Sequence, residues 1–280
     1  MNKFGGSWTE QKIQIVEDYA KAYLKVMKYK SYWKLLYFDG FAGTGEIDTD
    51  DNDFKIEGAA KRILNINEPR PFDMYYFVEL DYEKSSSLKK MITESYPDKK
   101  DVFVVLADCN DKLIELSKFL KSPKGKNYKV LAFIDPFGME LNWSSLENLH
   151  RQDIDLWILV PTRLGANRLL KKDGNISDPW IKRLEKFLGI TQEEIMNKFY
   201  KQYTTPTLFG PEDIIEKDKN AIGKIHELYK SKLNTIFNFV SDSFVMRNST
   251  NAIMFHFLMA TNNATALKIA NDIIKPKYKL

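Results

Sequence analysis

Five short runs, at residues 35–38, 74–78, 102–106, 130–134 and 154–160, are apolar and rich in β-branched and aromatic side chains. Apolar residues on both alternating sets of a strand call for cover on both faces of the sheet. Helical stretches at 58–65, 82–95, 111–120 and 144–149 lie between the runs. Buried strands alternating with helices predict an α/β fold with a parallel sheet and right-handed crossovers. Ligands of such sheets sit outside the carboxyl ends of the strands, so the residues after each run carry the functional information.

Those residues form a series. Strand one runs into Asp39-Gly40-Phe41-Ala42-Gly43-Thr44-Gly45, and strand two into Glu79-Leu80-Asp81. Strand three ends in Asp108-Cys109-Asn110 and strand four in Asp135-Pro136-Phe137-Gly138. An acid therefore closes each of the four. A glycine turn lets backbone approach a ligand, with Gly43 the expected point of approach, and an acid on the next strand is placed for a ribose diol. Gly40, Gly43 and Gly45 give G-x-x-G-x-G, which differs from the dinucleotide pattern G-x-G-x-x-G. No Gly-Lys-Ser/Thr follows, which removes a P-loop. Residues 46–57 hold six acids and one lysine, a stretch that repels a pyrophosphate but tolerates the cationic S-adenosylmethionine. It is not an EF-hand loop, because Asp53 stands where that loop needs glycine.

Ser7-Trp8-Thr9-Glu10 has the spacing of a capping box ahead of an amphipathic helix, so residues 1–33 form a helical lead-in. After residue 162 the alternation stops. Residues 163–239 read as a helical insertion, with Asp178-Pro179 and Thr191-Gln192-Glu193-Glu194 as helix starts. Strands return at 243–247 and 252–260 and a helix closes the chain at 264–274. Residues 1–162 and 240–280 are thus expected to form one core.

One cysteine and three histidines exclude a disulfide framework and a Cys/His metal centre, and no metal is expected. No apolar run reaches a membrane span and the N-terminus lacks an apolar leader, so a soluble cytoplasmic protein without membrane contact is expected. The net charge of +4 conceals local blocks. Residues 20–34 and 118–129 each carry five lysines and no acid, and the two blocks are expected to flank the site and hold a polyanion.

These residues resemble the class I S-adenosylmethionine-dependent methyltransferases, and more narrowly the three-Cys-motif partner proteins (TcmP family). The resemblance runs through Trp8-Thr9, Phe38-Asp39 to Gly45, Glu57-Gly58-Ala59, Val78-Glu79, Ala132 to Gly138, Val160-Pro161 and Met246-Arg247-Asn248. It implies a Rossmann-like sheet of strand order 3-2-1-4-5-7-6, with strand 7 antiparallel and the insertion between strands 5 and 6. It further implies that Asp39 to Gly45 wrap the methionine part of S-adenosylmethionine. Glu79 with Leu80 would take the ribose, and Asp108 the adenine amine, with Cys109 beside the ring. Asp135 would open the active-site turn, and a protein carrying a three-cysteine motif would be a partner. Asp39 and Glu79 stand 40 residues apart where about 20 is usual; the acidic insertion accounts for the excess.

Asp135-Pro136-Phe137-Gly138 is similar to the Asp/Asn-Pro-Pro-aromatic turn of amino-methyltransferases acting on nucleic acid, and to that of tRNA guanine-N2 dimethyltransferases. An exocyclic amine is a weak nucleophile, because its lone pair is delocalised into the ring. Asp135 and the Pro136 carbonyl can accept its N–H hydrogens and aim the nitrogen, and Phe137 can stack on an extruded base. Cytosine-C5 chemistry needs a Pro-Cys nucleophile, whereas Cys109 follows Asp108 and reads as a packing residue. His256 reads as a core histidine, His150 and His226 as surface helix residues, and the tryptophans as packing groups. Arg163, Arg168, Lys171 and Lys172, just after strand five, are the candidate nucleic-acid contacts. Three readings stay open: a methyltransferase acting on DNA or RNA, a catalytically silent cofactor-binding subunit aiding a three-Cys-motif protein, and a small-molecule or protein methyltransferase.

Overall fold

The computed structural model describes residues 7–48 and 55–275. The capping-box geometry expected at the start of the lead-in and the middle of the acidic stretch lie outside the described residues. In chain order the elements are α1 (Ser7–Met27), β1 (Lys34–Asp39), β2 (Glu46–Asp48), β3 (Lys55–Glu57), α2 (Ala59–Leu64), β4 (Met74–Glu79), α3 (Tyr82–Ser95), β5 (Val102–Leu106), α4 (Cys109–Lys121), β6 (Tyr128–Ile134), α5 (Trp143–Glu147) and β7 (Ile154–Val160). A π-helical turn, Thr162–Asn167, leads to α6 (Asp178–Leu188), α7 (Gln192–Phe199), β8 (Tyr200–Thr207), β9 (Gly210–Lys217) and α8 (Ala221–Ile236). The chain ends in β10 (Phe239–Val240), β11 (Phe244–Arg247), β12 (Ile253–Thr261) and α9 (Ala264–Ile274).

The main sheet has the order β10-β12-β7-β6-β1-β4-β5, with β11 also paired to β12. Counted along the core this is 3-2-1-4-5-7-6. β12 is antiparallel to β7 and lies between β7 and an edge strand split into β10 and β11. Side-chain alternation sorts each strand into two cores. Leu35 and Tyr37 of β1 join α1, α2, α3 and α9 on one face. Leu36 and Phe38 join α4, α5 and the helices of the insertion on the other.

The insertion is more than helical. β8 and β9 form a two-stranded antiparallel hairpin with Pro206 opposite Pro211. Its strands are mostly exposed and carry few apolar residues, so the period-two signal is weak, and proline argues against a strand. The helices of the segment are part of the main core: Ile225, Tyr229, Leu233 and Ile236 of α8 are buried in the same cluster as β6 and β7. Thr191 makes the expected capping box, while the α6 cap is Ser177, one residue earlier than Asp178. Among the described residues no helix is long and apolar enough to cross a membrane.

Asp155 is the polar exception within β7. Its carboxylate accepts from the Tyr19 hydroxyl at 2.7 Å and the Thr261 hydroxyl at 2.5 Å, tying α1 and β12 to β7. Burial pushes its carboxyl above the usual range. Asp155→Ala is expected to leave both hydroxyl hydrogens without an acceptor, at about 1–3 kcal/mol each, although Thr261 Oγ1 still accepts from the Asn263 amide. Urea unfolding at the wild-type midpoint would refute this role.

Candidate active site at the carboxyl edge

The parallel strands deliver Asp39, Glu79, Asp108 and Asp135 to one edge. Asp39 ends β1 between β4 and β6, and is 1% exposed. Its Oδ1 accepts from the Phe41 amide at 3.1 Å, and Tyr37 Oη lies 3.4 Å from its Oδ2. Burial, reinforced by the charges of Asp135 and Glu79 and opposed by these hydrogen bonds, pushes its carboxyl up to about 7.

The turn after Asp39 is pinned on both sides. The Gly40 amide donates to the Phe133 carbonyl at 2.9 Å and the Ala42 amide to the Val78 carbonyl at 3.0 Å. A Cβ at Gly40 would meet Cys109 Sγ at 2.5 Å and Ile134 Cδ1 at 2.6 Å, so the close approach is there. This assigns Cys109, 4% exposed, to packing against the turn. Gly43, the expected point of approach to a ligand, has φ +62° and open space where a Cβ would stand. The turn is therefore packed tightly against the protein at Gly40 and at Gly45, where a Cβ would meet Met91 at 2.7 Å and Leu88 at 2.9 Å, while the space over Gly43 is open. Thr44 and Gly45 complete the turn, and the Gly45 carbonyl accepts from the Gly58 amide at 2.9 Å.

Glu79 joins two loops. Its Oε2 accepts from the Gly43 amide at 2.8 Å and its Oε1 from the Asp81 amide at 2.9 Å. Leu80 beside it is 67% exposed. Asp108 is the exposed N-cap of α4, accepting from the Asn110 amide and side chain at 2.6 and 2.9 Å. Buried Asn110 also donates to the Glu140 carbonyl and accepts from the Asn142 amide, fixing α4 to the segment after the strand-four turn. Burial pushes the Glu140 carboxyl up; the Arg183 guanidinium opposes this, while the charges of Asp108 and Glu79 add to it.

Asp135 follows β6 and is ion-paired to Lys12 of α1, a lysine only 5% exposed. No motif marks Lys12, although its position carries a signal. It lies four residues before Val16 and seven before Tyr19, on the buried stripe of its helix. Pro136 is buried, Phe137 is 70% exposed and Gly138 has φ +83°. Arg183 Nη2 lies 4.0 Å from the Cβ position of Gly138, so α6 borders this turn. Arg183 and Glu140 are further site residues outside any motif, and Asn110 belongs to the strand-three end without a role assigned from sequence.

The four cations after strand five are all exposed, but they do not form one group. Burial lowers the pKa of Lys217, and the nearby charges of Lys172 and Arg163 add to the effect. Lys217 Nζ donates to the Leu170 carbonyl at 2.8 Å and contacts both oxygens of Asn167. Arg163 and Lys172 therefore cluster with Lys217. Lys171 instead lies over the Trp180 ring at 4.6 Å.

Two expectations are corrected. The lysine blocks 20–34 and 118–129 do not flank this site: α1 and α4 carry them to the amino edge, where β1 and β6 begin. His226 is not a surface residue. It stacks on His256 with ring centres 4.1 Å apart and reaches Ser243 Oγ at 2.7 Å.

No family model matches the chain, and no curated protein matches it. Among solved structures it is similar to a Legionella pneumophila protein described under the family model DUF519. The identity is 15%, covering 93% of this chain and 99% of that one, with a TM-score of 0.44. It is also similar to the putative methyltransferase yhhF from Escherichia coli, at 11% identity, 71% and 85% coverage and a TM-score of 0.28. A third similar structure is Trm1 from Pyrococcus horikoshii with S-adenosyl-L-methionine, at 10% identity, 97% and 72% coverage and a TM-score of 0.37.

The buried Asp39 carboxyl gives a pH test of the site. Its pKa in the fold, about 7, lies above the ordinary 3.8. Below pH 4 it is protonated folded and unfolded alike and has no effect on stability. As pH rises from about 4 to 7 the unfolded chain loses the proton first, so stability falls. Asp39→Asn removes this titration. In the absence of ligand its stability relative to wild type should rise across that window and level off above it, by at most roughly 4 kcal/mol. A pH-independent difference in chemical denaturation would contradict the burial of the charge.

Proposed function

We propose that the chain binds S-adenosylmethionine over the Asp39–Gly45 turn and transfers its methyl group to an exocyclic amine of a nucleic-acid base at Asp135. The observation that carries this reading is the convergence of Asp39, Glu79, Asp108 and Asp135 around a turn with open space over Gly43. The residue set fits the cofactor, since carboxylates beside an open stretch of turn suit a ligand with ammonium and sulfonium charges and hydroxyls to bind. In this assignment Asp39 faces the methionine part, Glu79 and Leu80 the ribose, and Asp108 the adenine amine. When bound, the cofactor supplies the electrophilic methyl group.

The chain's own residues do the rest. Asp135 and the Pro136 carbonyl accept the amine hydrogens, raising electron density on the nitrogen and fixing its direction. Lys12 anchors the Asp135 carboxylate from the side of α1. Exposed Phe137 supplies a face on which the base stacks. Arg163 and Lys172 hold backbone phosphates, with Arg168 and Lys171 on the same segment.

A second reading draws on the same ion pair. Lys12 occupies an Asp135 oxygen that the amine needs, which favours a cofactor-binding subunit without transfer that serves a partner protein of the three-Cys-motif kind. Calorimetry with S-adenosylmethionine and S-adenosylhomocysteine should show binding that Asp39→Ala weakens by more than about tenfold, or roughly 1.4 kcal/mol. Tritiated-methyl assays on DNA and RNA should show transfer that Asp135→Ala abolishes while sparing cofactor affinity. Cofactor binding with no transfer, partner present, would establish the second reading; no cofactor binding would remove both.

A further inference from the structure

The two lysine-rich segments, far apart in sequence, meet at the amino edge of the sheet. The Lys34 amide donates to the Asn127 carbonyl at 2.9 Å, and Lys34 stands opposite Tyr128 in register. Lys129 Nζ lies 4.2 Å from the centre of the Trp33 ring, and Lys34 Nζ 5.7 Å from that of Tyr128. The length of β6, roughly 20 Å, separates this edge from Asp135.

Most of the lysines here are unpaired among the described residues. Lys25, Lys28, Lys30, Lys34, Lys118, Lys121, Lys124 and Lys126 are all exposed. None of them is in an ion pair among the described residues, whereas Lys21 and Lys129 pair with Glu17 and Asp153. The loop bearing Lys124 and Lys126 is held in shape. The amides of Gly125 and Lys126 donate to the Ser122 carbonyl at 3.0 and 3.1 Å, and that of Tyr128 to the Gly125 carbonyl at 2.9 Å. Arg151 and His150 extend the basic rim next to Lys121 around a shallow depression that also includes Glu147. Two aromatic rings project among the cations: Tyr29 is 86% exposed and Tyr32 67%.

We propose that this edge is a binding surface for single-stranded nucleic acid, separate from the methyl-transfer site. The lysines follow the phosphates, and Tyr29 and Tyr32 stack on unpaired bases. Cations alone would serve any polyanion; solvent-facing rings between them select a strand whose bases are open. The surface does not depend on the reading of the carboxyl edge and stands if that edge transfers no methyl group.

The test is fluorescence anisotropy of the full chain with labelled oligo(dT) and oligo(U), a duplex of equal charge, and phosphatidylglycerol vesicles as competitor. Single strands should bind more tightly than the duplex, with affinity falling steeply with salt. Tyr29→Ala with Tyr32→Ala should weaken single-strand binding about tenfold or more without changing the salt slope. Lys124→Ala with Lys126→Ala should lower that slope by about 0.7 for each phosphate that is no longer neutralised. Cofactor affinity should be unchanged in both variants, whereas Arg163→Ala reports on the other edge. Preference between the two oligonucleotides assigns DNA or RNA. Wild-type binding by both variants, tighter binding to the duplex, or binding to vesicles alone would overturn the proposal.

Discussion

β1 sits in the middle of the sheet, hydrogen-bonded to β4 on one side and β6 on the other, and its side chains alternate between two cores. A strand enclosed on every side has room for polar chemistry only where it ends. Asp39 is that end, and its near-complete burial holds the carboxyl near neutrality. The turn beyond it is organised around the same constraint. Gly40 lacks a side chain because Cys109 and Ile134 occupy the space. Phe41 turns its amide back onto Asp39, and Glu79 secures the Gly43 amide from the neighbouring strand. The result is a fixed cradle of backbone and carboxylates.

The helices that surround this cradle do more than cover the sheet. α1 packs against α9 and α2 through its apolar stripe and sends Lys12 to the strand-four turn. α6 of the insertion places Arg183 beside Gly138, and the π-helical turn after β7 places Arg163 near Lys172 and Lys217. The insertion is anchored because α8 shares the core of β6 and β7. The molecule is also polarised along its strands. Acids gather at the carboxyl edge around the cradle, with cations at its margin. The amino edge is basic, because α1 and α4 run the length of the sheet and leave their lysine-rich ends there.

The parallel sheet was legible because strands buried on both faces must be apolar, and their ends must then carry the polar groups; its strand order came from the resemblance to class I methyltransferases. The acid series Asp39, Glu79, Asp108 and Asp135 and the turn at Gly40–Gly45 followed from that rule. Local chemistry also marked the capping box at Thr191. The hairpin of β8 and β9 was not legible, because strands that bury almost nothing leave no hydrophobic period. The stacking of His226 on His256 was equally hidden, since its partners come from α8 and β12, 30 residues apart in sequence.

The amino-acid sequence by itself determined the fold class, the edge at which the acids gather and the residue types that stand there. These follow from periodicity, which acts over a few residues at a time. Only the tertiary structure decided that Lys12 reaches Asp135, that Gly40 and Gly45 are packed against the protein while Gly43 is open, and that the lysine blocks gather at the opposite edge. Each of those facts depends on the direction and packing of whole helices against the sheet. Charge and spacing along the chain carry no record of which end of a helix lies beside which end of a strand.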